Sequence, residues 1–271
     1  MRFSQNMFSI LICVLALSLT SCDQRSSSSA PAVTSAPQCS ATLPICLNQC
    51  CPEKPAQDML VDHNIFVLAN NPKTKFADWV AYKVDANNIG STRTRTWKRD
   101  PQLPDDETLS PPDYKGAYAA HDYHRGHQAP LASFTSTNQW KKTNYLSNIS
   151  PQKASLNSGP FLKGESAIRV LARKEGDVYV ITGTLYEHSM PSLPHSHLSH
   201  EVPSGYWKIV VLSKGDQPNI ATFVFDQGMP RSIQLCQSKT TLHALQQRLS
   251  FNPLPAVSSY SETLPADMGC P

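Results

Sequence analysis

Short apolar blocks separated by turn-forming residues dominate the chain from about residue 63 onward. Ile65–Ala69 and Trp79–Val84 are rich in β-branched and aromatic residues and flank a turn at Asn71-Pro72, which predicts two strands. Asp177–Thr184, Tyr206–Leu212 and Ile220–Asp226 are three more, strongly apolar throughout. Helical spacing replaces this pattern twice. Phe161, Ile168 and Leu171 recur within Lys153–Lys174, where Pro160 is tolerable because it falls in the early turns. Leu242, Leu245 and Leu249 share one face of Thr240–Ser250. Ser91–Pro101 carries basic residues at alternating and adjacent positions and reads by itself as a solvated edge strand. Pro104–Tyr114 is acidic and proline-rich, a surface loop. In the polar stretch His121–Asn157, Gly126 and Pro130 predict breaks in regular structure.

The N-terminus follows a different logic. Met7–Leu19 is an apolar run behind Arg2 and ahead of small residues, the pattern of an export signal. It is shorter than the roughly 20 apolar residues that a membrane-spanning helix needs. Leu19-Thr20-Ser21-Cys22 resembles a bacterial lipobox, which would make Cys22 the lipidated first residue of the mature protein; a plain cleaved signal is the alternative. Asp23 resembles an inner-membrane retention signal. Asp23–Ala56 is rich in serine and proline and reads as a tether. The expected organisation is a signal over 1–22, a tether with a cysteine cluster over 23–56, and a folded domain over 57–271. Such a chain sits in the cell envelope as a membrane-anchored lipoprotein, or is secreted. Export means an oxidising compartment, in which cysteines pair. Cys39, Cys46, Cys50 and Cys51 allow three connectivities, and neighbours such as Cys50 and Cys51 rarely bond to each other. Zinc is disfavoured there because the spacing lacks paired CxxC knuckles.

Charge adds little. With 24 basic against 21 acidic residues the formal net charge is +3, too small to single out a polyanionic partner. Candidate chemistry gathers instead in His124-Arg125-Gly126-His127, Asn148 and Asn157. Histidine exchanges a proton near neutral pH, arginine grips phosphate with paired hydrogen bonds, and an amide oxygen is a hard ligand suited to magnesium. Those parts suit metal-assisted phosphodiester hydrolysis. A second histidine group, His188, His195, His197 and His200, lies in a loop rich in proline and serine. It could suggest zinc or copper, but without carboxylate or cysteine support it reads as a solvated loop.

The runs RGHQAPLASF and NYLSNISPQKASLN, with TKFADWVAY and TRTWKRDP before them and VYVITGTLYE, VPSGYWKIV and MGC after, resemble the DNA/RNA non-specific endonucleases, the ββα-metal nucleases. The resemblance spans roughly residues 60 to 271. It implies an α+β fold with a mainly antiparallel central sheet flanked by helices and long loops. It also implies a sugar-non-specific endonuclease acting on single- or double-stranded DNA and RNA and leaving 5′-phosphates. Carried over residue by residue, His127 is the general base, Arg95 and Arg125 hold the phosphate charge, and Asn157 holds Mg2+, with Mn2+ the alternative. Glu165 orients the surrounding water, and Asn148 fixes the geometry of His127 or of that water. Lys98 and Arg169 are further nucleic-acid contacts, although Arg169, one turn beyond Glu165, could equally pair with it. In a straight helix, Asn157 and Glu165 would lie about 12 Å apart along the axis and about 80° apart around it. Either Glu165 acts through water or Gly159-Pro160 bends the helix. The resemblance further implies a Cys236–Cys270 bridge and a short bridge from Cys46 to Cys50 or Cys51; a homodimer is one state it allows.

One position departs from the family's DRGH: His124 stands where the aspartate belongs. A protonated imidazole would oppose a neighbouring cation by about 4 kcal/mol at an effective dielectric of 20. The competing expectation is therefore a catalytically impaired, nucleic-acid-binding lipoprotein.

Overall fold

The five blocks expected to be strands pair into one antiparallel sheet, which two short strands extend at its edges. Residues 38–214 and 217–270 are described by a computed structural model. The export segment, Cys22 and the tether up to residue 37 lie outside the described residues.

In chain order the elements begin with β1 (Met59–Asp62), β2 (Phe66–Asn70), β3 (Ala77–Val84), α1 (Ala117–His121) and β4 (Tyr123–His127). Next come β5 (Ile149–Lys153), α2 (Ala154–Asn157), α3 (Pro160–Glu175), β6 (Val178–Leu185) and β7 (Gly205–Leu212). The chain closes with β8 (Asn219–Asp226), β9 (Lys239–Thr240), α4 (Leu242–Gln246) and α5 (Leu264–Asp267). The main sheet runs β1-β2-β3-β6-β7-β8-β9, antiparallel at each pairing, and β4 pairs with β5 in a separate hairpin.

Both faces of the main sheet are covered, which is why its central strands are apolar runs without a polar side. Alternation along β7 sends Tyr206 and Val210 towards Phe161, Ile168 and Leu171 of α3. Trp207, Ile209 and Val211 face the opposite way, against Leu242, Leu245 and the cysteine-rich N-terminal loop. That loop holds the cysteine cluster at the far end of the tether, where order begins among the described residues. Cys39 bonds Cys50, Cys46 bonds Cys51, and buried Cys46, Leu47 and Cys51 pack among Trp79 and Trp207. Trp79 Nε1 also donates to the Glu53 carbonyl at 2.8 Å. Covalent cross-links supply much of the order in this serine- and proline-rich segment. Near the C-terminus, Cys236 bonds Cys270.

Three local expectations change. Ser91–Pro101 forms no strand; only Lys98 makes an isolated bridge, to Tyr145, and residues 91–96 run exposed across the surface. Gly126 does not break structure but sits within β4, because the Gln152 side chain of β5 would lie 2.3 Å from any Cβ placed there. The long helix is two helices. At Gly159 a Cβ would come within 2.3 Å of the Ser155 carbonyl and 2.8 Å of the Arg231 backbone, so glycine lets the chain turn before Pro160 starts α3.

Candidate active site

β4, β5, α2 and α3 succeed one another around a single cleft of about 470 Å3. His124, Arg125 and His127 reach it from β4, Asn157 from the end of α2, and Glu165 from the second turn of α3. Arg95 and Trp97 enter from the extended segment before β4. The break at Gly159 falls between Asn157 and Glu165, so the straight-helix separation does not apply to them, and both line this cavity.

His127 is half-buried and fixed by one bond: its Nε2 lies 3.1 Å from Asn144 Oδ1. An amide oxygen only accepts, so in this arrangement Nε2 carries the hydrogen and Nδ1 keeps the lone pair. Burial pulls the imidazole down to about 4, and Arg95 pushes the same way against the Asn144 bond. Arg125 is held between the rings of Tyr114 and Trp97, at 5.1 and 5.7 Å from their centroids, and donates to the Pro111 carbonyl at 3.2 Å. Its position is therefore set before any anion arrives.

Asn157 and His124 bond each other. The Asn157 Nδ2 lies 3.1 Å from His124 Nδ1, so the ring nitrogen accepts and the Asn157 amide oxygen stays free.

Glu165 is surrounded by cations. Burial pushes its carboxyl pKa up, while Lys208, Arg169 and Arg95 pull it back. Arg169 Nη1 stands 3.9 Å from its Oε2. Lys208 arrives from β7 through the core, 1% exposed, with its ammonium 4.6 Å from the Phe161 ring centroid and 3.4 Å from the Tyr82 hydroxyl. Burial lowers the Lys208 pKa to about 8, and Glu165 opposes that fall.

Three expected site residues stand elsewhere. Asn148 is fully buried and its amide is used up on backbone: it donates to the Ala129 and Thr143 carbonyls and accepts from Ala129 N–H. It braces the chain just after His127 and touches neither that ring nor the cleft. Arg169 pairs with Glu165 and donates to Ser166 rather than lining the cleft. Lys98 is exposed and also outside the cleft lining. Asn144, Trp97 and Lys208 were not singled out from the sequence, yet they stand against His127, in the cleft lining and beside Glu165. Asn144 reaches His127 across seventeen residues, and no periodicity announces such a contact; Lys208, a lone cation in an apolar strand, was the legible anomaly. The four loop histidines form no metal cluster: among the described residues no three His, Cys, Asp or Glu side chains gather to hold an ion. His200 instead ties its own loop, accepting from Leu193 N–H at 2.9 Å.

The family model of the DNA/RNA non-specific endonucleases matches residues 51–258. The chain belongs to that family. A nuclease of Serratia marcescens is 39% identical over 231 residues, 81% of this chain and 87% of that protein. Human mitochondrial endonuclease G is 27% identical over 183 residues, 63% of this chain and 60% of that protein. Among solved structures, an EndoG/EndoGI complex matches with a TM-score of 0.63 over 73% of this chain and 86% of that one. At 20% identity that likeness shows a shared fold, the α+β arrangement expected of a ββα-metal nuclease. This chain is thus an endonuclease, a hydrolase acting on nucleic acid.

Proposed function

We propose that this endonuclease cuts DNA and RNA with His127 as general base, Arg95 and Arg125 holding the phosphate, and a divalent cation held at Asn157. The observation that carries the reading is the convergence of these four residues, with Glu165, on one cleft. His127, kept neutral by burial, takes a proton from the attacking water at Nδ1, a contribution typically of about 10² to 10⁴-fold. Arg125 meets the developing phosphate charge without reorganising, because two rings and a carbonyl already hold it. Arg95 contributes a second charge from the exposed rim.

The residues fit a cation. Asn157 presents a free amide oxygen because its nitrogen is engaged by His124. One hard oxygen rather than a cage suits an ion that retains most of its waters, which favours magnesium; imidazole nearby makes manganese the alternative. When bound, such an ion neutralises phosphate charge and stabilises the leaving oxygen. Glu165, its pKa raised by burial and partly offset by Lys208, Arg169 and Arg95, orients water in the cleft. Contacts to phosphate rather than to base edges would let one site cut both DNA and RNA. The three disulfides support an exported enzyme, with Cys22 as its lipid anchor.

Digestion of supercoiled plasmid by purified, signal-free protein tests the reading. Nicking that requires added magnesium or manganese and falls at least about 10²-fold in His127→Ala is the expected result. Gel shift without cutting at every divalent ion tried would establish the binding-only alternative instead.

A further inference from the structure

Tyr118 presents a bare aromatic face at the cleft. It lies on α1, is 61% exposed and lines the cavity shared by His127 and Asn157. Its other face is occupied: the ring stacks on His124, centroids 5.4 Å apart and planes inclined by 26°. His124 is itself pinned by Asn157, so the tyrosine rests on a fixed plate rather than swinging free. Single exposed aromatics are ordinary on protein surfaces. This one differs because it continues a line from the proposed cation ligand, Asn157, through His124 to solvent, beside the exposed cation Arg95. Leu162, 44% exposed, adds an apolar wall to the same cavity.

An aromatic platform beside cationic groups is the chemistry that holds single-stranded nucleic acid, since every base has a π-face and every linkage a charge. Bases inside a duplex already stack on their neighbours and have no free face to offer. We propose that Tyr118 stacks an unpaired nucleobase next to the phosphate being cut, so that this endonuclease engages single-stranded or unwound segments more tightly than a phosphate-only site would. The inference rests on the proposed function, because it takes the scissile phosphate to lie between His127 and Asn157.

The test uses binding in EDTA, which does not depend on cleavage. Fluorescence anisotropy compares a twelve-nucleotide oligothymidylate with an abasic strand of equal length, which has the same phosphates and no bases. Wild type should prefer the thymidylate, and Tyr118→Ala should raise its Kd about tenfold while changing the abasic Kd less than about twofold. Tyr118→Phe, which keeps the π-face, should retain the preference. Equal losses for both strands in Tyr118→Ala, or no loss for either, would overturn the proposal. Base-dependent binding with no plasmid cutting in magnesium or manganese would sink the catalytic reading yet leave the platform standing; wild-type protein that cuts plasmid but shows no preference for the thymidylate would overturn the platform alone.

Discussion

His127 illustrates how much one neighbour can set. Burial holds its imidazole down to about 4, so the base form prevails above that value and is lost as pH falls through it. The acid limb of kcat/KM that belongs to this group should therefore lie near pH 4. Asn144→Asp would place a negative charge on Nε2–H, favour the imidazolium, and move the limb to higher pH; an unmoved limb would remove Asn144 from the account. Lys208 gives a second test. Removing one member of a buried charged set leaves the other less compensated, so Lys208→Met, which leaves Glu165 in place, should lower the Tm at neutral pH. Glu165 would lose a cation that opposes its protonation, and each pKa unit it rises costs up to about tenfold in its ionised fraction. Reduced kcat, measured at a temperature well below the lowered Tm, is the expected result, and an unchanged kcat there would remove Lys208 from the account.

At the level of elements, the turn between α2 and α3 makes the site. Gly159→Ala would force a methyl into the Ser155 carbonyl and the Arg231 backbone. Overpacking of this kind costs about 1–3 kcal/mol, and calorimetry should show that loss together with reduced activity as Asn157 and Glu165 separate. A deeper support lies behind the basic segment. His63 Nε2 stands 2.8 Å from Asp100 Oδ2, both side chains fully buried, and Ser147 donates to the same oxygen. Burial would raise the Asp100 carboxyl, but these bonds hold it below its usual range. A depressed carboxyl adds stability above its unfolded pKa of about 3.9 and loses it as pH falls through the lower folded value. His63→Ala should cost about 3–5 kcal/mol at neutral pH, with the deficit shrinking in acid melts. The strands of the main sheet were legible because apolar runs need no context. The β4–β5 hairpin was not, since its residues are polar and its glycine answers to Gln152, a partner distant in sequence. Convergence of Asn157 with Glu165 was legible only as a choice between a bent helix and intervening water.

The described residues build a two-faced sheet with the cleft on one flank, and disulfides cross-link the segments before its first strand and around its last. The cysteine loop covers the face opposite α3, and Cys236–Cys270 ties the last helix region to the segment before β9. Disulfides typically contribute about 2–4 kcal/mol each, so reduction should lower the Tm markedly, and a melt unchanged by reductant would contradict an exported, cross-linked enzyme. The central claim is that His127 and Asn157 act on one P–O bond. A cycle of His127→Ala, Asn157→Ala and the double variant, read as kcat/KM on plasmid in magnesium, tests it most directly. Groups working as one unit are strongly non-additive, so the double variant should be about as slow as the slower single variant. Losses that simply multiply would place the two side chains in separate tasks and contradict the account.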